Sequence, residues 1–270
     1  MSRILFVILF IIGNIYVSYS QLWYPLDTGT EDAHFKAIDF YGEDTGIAVG
    51  YEGVAIWTFD GGLTWEPLSL DVTNNLLAVD VVSENTFYIC STSDLIYKTT
   101  DGGLTWTTLT APGTAPGIQF ITPTTGFISC YDNNFYKTTD GGLTWVDISI
   151  GYSTFKRIQF LNESIGYALG CNNNFYKTTD GGDTWTAKPH GIDVPWCDKG
   201  MYFKNDTTGY VSFDGKLAIT TDGAETWTIT EPFPFGALMA GIYFRGEEGW
   251  AAPSNQLNRI YQTLDGGVTW

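Results

Sequence analysis

Apolar and polar residues alternate along this chain in short runs, and no stretch of residues 21–270 sustains apolar positions at helical spacing. The runs fall into four recurring kinds. The first comprises Phe35-Lys-Ala-Ile-Asp-Phe40, Leu76-Leu-Ala-Val-Asp-Val81, Gly117-Ile-Gln-Phe120, Phe155-Lys-Arg-Ile-Gln-Phe160, Met201-Tyr-Phe203 and Gly241-Ile-Tyr-Phe244. The second follows a glycine in most repeats, as in Gly46-Ile-Ala-Val-Gly50, Gly126-Phe-Ile-Ser-Cys130, Gly166-Tyr-Ala-Leu-Gly170 and Gly209-Tyr-Val-Ser212. The third is seen in Asn134-Phe-Tyr-Lys-Thr138 and Asn174-Phe-Tyr-Lys-Thr178, and the fourth begins at a tryptophan. Alternating runs broken by Gly, Asn, Asp and Thr predict strands, here called A, B, C and D.

Between C and D stands an octet, Thr58-Phe-Asp60-Gly-Gly62-Leu-Thr64-Trp65, which recurs in boxes ending at Trp106, Trp145, Trp185, Trp227 and Trp270. The tryptophans are 41, 39, 40, 42 and 43 residues apart. A four-stranded antiparallel unit repeated at a period near 40 predicts an all-β chain, a β-propeller of six blades. Asp-Gly is a tight-turn dipeptide, and the Asp carboxylate can bind backbone N–H groups across its own turn. Asp60, Asp101, Asp140, Asp180, Asp222 and Asp265, with Trp65, Trp106, Trp145, Trp185, Trp227 and Trp270, are therefore expected to hold corners rather than to react.

The octets resemble the Asp-box, or bacterial neuraminidase repeat. The longer phrase Gly46-Ile-Ala-Val-Gly50-Tyr-Glu-Gly53-Val-Ala-Ile-Trp-Thr58-Phe-Asp60-Gly-Gly-Leu-Thr-Trp65 resembles the blade signature of the photosystem II stability/assembly factor-like propellers, and the likeness covers nearly all of residues 21–270. Similar repeats occur in sortilin-type receptors and xyloglucan-degrading enzymes. The resemblance implies that the box is structural and lies on the face away from the ligand, and that the ring is a non-enzymatic protein binder. Members bind their client through a basic patch. Here only Arg157, Arg245 and Arg259 follow residue 20, so the photosynthetic role does not carry over with the fold.

Residues 1–20 read as a secretory signal peptide: Arg3 is the charged end, Ile4–Val17 is largely apolar, and Ser18-Tyr-Ser20 offers small residues for cleavage. An uncleaved anchor is the alternative, though the run is shorter than a membrane span and interrupted by Asn14. Cleavage leaves residues 21–270 as the propeller domain, secreted, periplasmic or at the cell surface, with no membrane insertion. Thirty acidic against 13 basic residues give a net charge of −17, which argues against nucleic acid as a partner. Gln21-Leu-Trp23-Tyr-Pro25-Leu26 resembles strand D of the first repeat, Trp65-Glu-Pro67-Leu68. It is expected to seal the sixth blade, or else the chain is cut short of a seventh and is a ring segment of a larger surface protein.

Function is expected on the face of the B-to-C and D-to-A loops, with a protein or a glycan as partner. The residues singled out there are Trp196, His190 and Phe235 in the two longest D-to-A connections, and Tyr131, Asn133 and Asn173 in B-to-C loops. Asp39 and Asp80 share one position on neighbouring A strands, in a polar column continued by Gln119, Gln159, Tyr202 and Tyr243. Two such carboxylates are what a glycosidase needs, and a polar column equally suits hydrogen bonding between blades. A sialidase would need three converging arginines; Arg157 is carried as a candidate binding residue, but its two companions lie in later repeats. No cofactor is implied, and the lone His190 makes no metal site. Of the four cysteines, Cys171 and Cys197 are expected on one rim as a disulfide, whereas Cys90 and Cys130 lie on neighbouring blades beyond bridging reach. Asn162-Glu-Ser164 and Asn205-Asp-Thr207 match the N-glycosylation pattern.

Overall fold

The computed structural model describes residues 33–132, 134–149, 155–170, 175–188, 200–234, 239–253 and 260–270. The expected signal peptide 1–20, the expected closing strand 21–26, Trp196, His190, Asn133, Asn173, Phe235, Cys171, Cys197 and Arg259 lie outside these residues.

Six antiparallel sheets follow one another as the blades of a propeller. Blade 1 is β1 (Phe35–Tyr41), β2 (Thr45–Gly50), β3 (Ala55–Thr58) and β4 (Glu66–Pro67). Blade 2 is β5 (Leu76–Ser83), β6 (Thr86–Ser91), β7 (Leu95–Thr99) and β8 (Thr107–Thr110). Blade 3 is β9 (Gly117–Phe120), β10 (Gly126–Ser129), β11 (Phe135–Thr138) and β12 (Val146–Asp147). Blade 4 is β13 (Phe155–Phe160), β14 (Gly166–Gly170), β15 (Phe175–Thr178) and β16 (Thr186–Ala187). Blade 5 is β17 (Gly200–Phe203), β18 (Gly209–Phe213), β19 (Lys216–Thr220) and β20 (Thr228–Thr230). In blade 6 the described strands are β21 (Met239–Arg245), β22 (Glu248–Pro253) and β23 (Tyr261–Thr263). In blades 1, 3, 4 and 5 the second strand is buried throughout and the fourth is short and exposed, which blunts the outer sheet edges.

The glycine that opens strand B has a specific cause. In five blades it pairs directly with a phenylalanine of strand A: Gly46 with Phe40, Gly126 with Phe120, Gly166 with Phe160, Gly209 with Phe203 and Gly249 with Phe244. A Cβ on any of them would lie 2.3–2.6 Å from the ring. The glycine lets the ring lie flat over strand B, where it meets the blade before it. Phe120 stacks on Tyr88 at 3.7 Å, Phe160 on Phe127 at 3.5 Å, Phe203 on Tyr167 at 3.5 Å and Phe244 on Tyr210 at 3.9 Å. Each ring also takes the edge of its own octet tryptophan at about 6 Å. Burying such a ring is worth about 1.5–3 kcal/mol, and an aromatic pair adds about 0.5–1.5 kcal/mol. Blade 2 solves the same contact the other way round: Phe87 stands on strand B and the smaller Val81 faces it on strand A.

Blade 6 meets blade 1 through an Arg245–Glu43 ion pair at 4.0 Å. At this seam Phe40 is 37% exposed, whereas Phe244 is 1% exposed, and among the described residues Phe40 meets an aromatic ring only in Trp65, edge to face at 6.1 Å.

Each octet is a double hub. In blade 3 the Asp140 carboxylate accepts the Thr144 N–H at 2.9 Å and the Thr144 hydroxyl at 2.6 Å. The buried Thr138 hydroxyl donates to Asp140 at 2.8 Å and accepts the Gly142 N–H at 2.9 Å. The same set recurs in blades 1, 2, 4, 5 and 6. The side-chain and backbone donors of the later threonine pull all six carboxyls down to about 2. Both glycines take positive φ, as in Gly141 at 75° and Gly142 at 90°; in blade 5 Ala224 carries the second position at 73°. The first threonine is a hub that the sequence reading, centred on the aspartate, does not assign.

Three outcomes follow for stability. Gly166→Ala forces a methyl into the Phe160 ring and is expected to destabilise by about 1–3 kcal/mol in urea unfolding, the range for overpacking. Thr138→Val removes a buried hydroxyl from three partners and is expected to cost about 1–3 kcal/mol in the same assay. Because the octet carboxyls sit below their unfolded value of 3.8, their contribution is complete above about pH 4 and is lost as pH falls toward 2. An acid titration followed by circular dichroism should show that loss, with a smaller acid effect in Asp140→Asn.

Candidate functional site

The polar column on strand A is the most ordered side-chain array outside the octets. Asp39, on β1, accepts the Val81 N–H of the next blade at 2.7 Å. Asp80, on β5, accepts the Phe120 N–H at 2.8 Å. Gln119 continues the pattern with both ends of its amide: Phe160 donates its N–H to Oε1 at 2.8 Å, and Nε2 donates to the Phe160 carbonyl at 2.8 Å. Gln159 does the same to Phe203, at 2.8 and 3.0 Å. Tyr202 reaches the Phe244 carbonyl through its hydroxyl at 2.7 Å. The column thus ties each of blades 1 to 5 to the backbone of the next.

Burial pushes the Asp39 carboxyl up to about 6, against the pull of the Val81 N–H. Asp80 is pushed up to about 8 by burial first and by the charge of Asp39 second. Two coupled acids with separated titrations are the pattern of an acid–base pair, but each has one oxygen committed to a backbone amide.

A second set of inter-blade ties runs toward the octets. Tyr88 donates to Pro123 O at 3.0 Å, Tyr167 to Asp206 O at 3.0 Å and Tyr210 to Gly266 O at 3.1 Å. Lys98 lies 5.1 Å over the Tyr88 ring and donates to Gly141 O at 3.2 Å; Lys177 lies 5.4 Å over Tyr167 and donates to Gly223 O at 3.1 Å. Lys137 pairs with Asp183 at 3.6 Å. These lysines are consequently held by the fold.

On the loop face, Tyr131 is 55% exposed while its N–H is fixed to Thr114 O at 3.0 Å. Beside it Asp132 accepts from the backbone and side-chain amides of Asn134, each at 3.1 Å. Tyr51 opens a short 3-10 turn with Glu52 at φ 57°, whose N–H is taken by Asn75 Oδ1 of the following connection. Arg157 lies on β13 with its side chain exposed, while Arg245 on β21 is engaged by Glu43 and by Glu248 at 3.5 Å. In the connection after β20 it is Phe233 that packs inward, 5.1 Å from both Tyr261 and Trp270. Cys90 and Cys130 are buried free thiols. Asn162 and Asn205 each use the side-chain oxygen to cap their own turn, at 2.7–3.0 Å. Among the described residues, no three His, Cys, Asp or Glu side chains gather as metal ligands would, and no helix is long and apolar enough to cross a membrane.

The model of the family described as photosynthesis system II assembly factor YCF48 matches residues 15–148. A structure of YCF48 bound to D1 peptide superposes with a TM-score of 0.73 at 22% identity, covering 91% of this chain and 82% of that one. YCF48 from Cyanidioschyzon merolae gives 0.73 at 20% identity, covering 91% and 86%. A GH74 enzyme from Niastella koreensis gives 0.71 at 20% identity, covering 88% of this chain but 45% of that one. None of the curated proteins matches the chain in sequence. With six blades in the described residues and this family match over residues 15–148, the chain is a β-propeller that resembles the photosystem II assembly factor-like propellers.

Proposed function

We propose that this chain is an exported, non-catalytic propeller that binds a segment of another protein through its loop face. The observation that carries the reading is the likeness to YCF48, one structure of which holds a D1 peptide. The geometry agrees with it. The octet acids are committed to their own turns and the column to neighbouring blades, so the scaffold's chemistry is spent on rigidity, while Tyr131 and Tyr51 stand exposed on loops. Rigid loops carrying exposed aromatics suit recognition of an extended segment. With a net charge of −17, the favoured client segment is one rich in Lys or Arg. Export rests on the character of residues 1–20.

A glycan-directed reading is kept because GH74 enzymes share the fold, with Asp39 and Asp80 as the acid pair it would use. One experiment separates the two. Fluorescence anisotropy with synthetic peptides of graded charge should show binding to basic peptides that weakens with salt, and Tyr131→Ala should weaken it about tenfold, the effect of a ~1.4 kcal/mol contact. Absence of peptide binding, together with glycoside hydrolysis lost in Asp39→Asn and Asp80→Asn, would replace this reading with the enzymatic one.

A further inference from the structure

The joints between blades are built at one strand position but not from one chemistry. At the joints between blades 3 and 4 and between blades 4 and 5, a glutamine answers both polar groups of one residue in the next blade: its oxygen takes the N–H and its nitrogen donates to the carbonyl. That pairing is natural in an antiparallel strand, where the N–H and C=O of a residue point to the same side. Val81 and Phe120 are the corresponding residues of blades 2 and 3, and each directs its N–H to Asp39 or Asp80. By the same strand geometry their carbonyls are directed to the side that the carboxyl occupies. An ionised carboxylate only accepts hydrogen bonds, so it would set a negative oxygen against a carbonyl oxygen in a half-buried place; a protonated acid has one acceptor and one donor, as a primary amide does.

We propose that Asp39 and Asp80 are carried as neutral carboxylic acids that act as shortened glutamines, each donating its proton to the carbonyl of Val81 or Phe120 while accepting that residue's N–H. The joints between blades 1, 2 and 3 are then proton-dependent clasps, and the joints made by Gln119, Gln159 and Tyr202 are not.

The surroundings favour the neutral form. Burial pushes both carboxyls upward, to about 6 and about 8, and the charge of Asp39 raises Asp80 further. β2, β9 and β10 carry no titratable side chain. From β6 come Tyr88 and Cys90, both pushed further toward their neutral forms by burial. On β7, Lys98 is held over the Tyr88 ring and on Gly141 O. Lys36 and Tyr41 of β1 are exposed. The column's other ionisable members are phenols, Tyr202 and Tyr243, the first pushed up to about 12. Both acids bind their protons more tightly folded than unfolded. Their contribution is thus complete below about pH 4 and is lost as pH rises through 6 and then 8, opposite in sign to the octet acids.

The test is chemical unfolding of the full chain from pH 5 to 9, beside Asp39→Asn/Asp80→Asn, whose amides supply the donor without a titratable proton. Each retained proton makes the unfolding equilibrium constant rise up to about tenfold per pH unit. The wild type should show that rise relative to the double variant, which should be the more stable at pH 9. Infrared spectroscopy of the unmodified chain gives a reading that needs no variant to fold: a protonated-carboxyl C=O stretch present at pH 5 and lost by pH 9. Parallel pH profiles in the two proteins, or no such band at pH 5, would overturn the proposal.

Discussion

What the structure depends on is contact between neighbouring sheets rather than pairing within them. A four-stranded blade has two faces to cover and too few residues to cover them alone; the next blade does it. The decisive contact is a ring of strand A pressed on strand B of the preceding blade, possible only because the residue paired with that ring is glycine. Phe160 between Gly166 and Phe127 shows the arrangement, and Val81 with Phe87 shows that the volume can be moved across the pair. Backbone hydrogen bonding builds each sheet, but this exchange of volume sets how close two sheets stand.

Polar groups then fix the register of that approach. Octet and column divide the labour by location. At the outer corner the carboxylates are exposed, meet their donors within eight residues, and are held ionised. At the inner strand the same residue type is half-buried between blades, finds its partner about 40 residues away, and is held toward the neutral form. An aspartate's role in this chain is thus set by burial and by which backbone groups it meets, so counting acids says little about reactivity.

That division explains what could be read in advance. The octets, the four strands per period and the ring were legible because each is local, repeated and tied to a turn chemistry visible in eight residues. The Asp39–Asp80–Gln119–Gln159 column was legible as a column, since a fixed period aligns equivalent positions. Its partners were not, because a backbone N–H in the next blade leaves no mark in the sequence. The reason for the glycine ahead of strand B was hidden likewise: Gly166 is informative only once Phe160 is known to lie across it. The connection after β20 shows the limit for loops, where nothing in the sequence says that Phe233 packs on Trp270.

The uneven joints bear on how such a ring meets a partner. A propeller made rigid by amides at every joint would present its loops in a fixed pattern. Here the loops carrying Tyr51 and Tyr131 belong to blades 1 and 3, on either side of the joints closed by carboxyls. The Tyr51 N–H is held by His34 O and the Tyr131 N–H by Thr114 O, each at 3.0 Å, so the angle between those blades bears on the spacing of the two aromatics. The proposed recognition of an extended segment would depend on that spacing, and the two joints between those blades are the ones proposed to need protons. The chemistry that holds the first three blades together is in this way the chemistry that positions their binding loops.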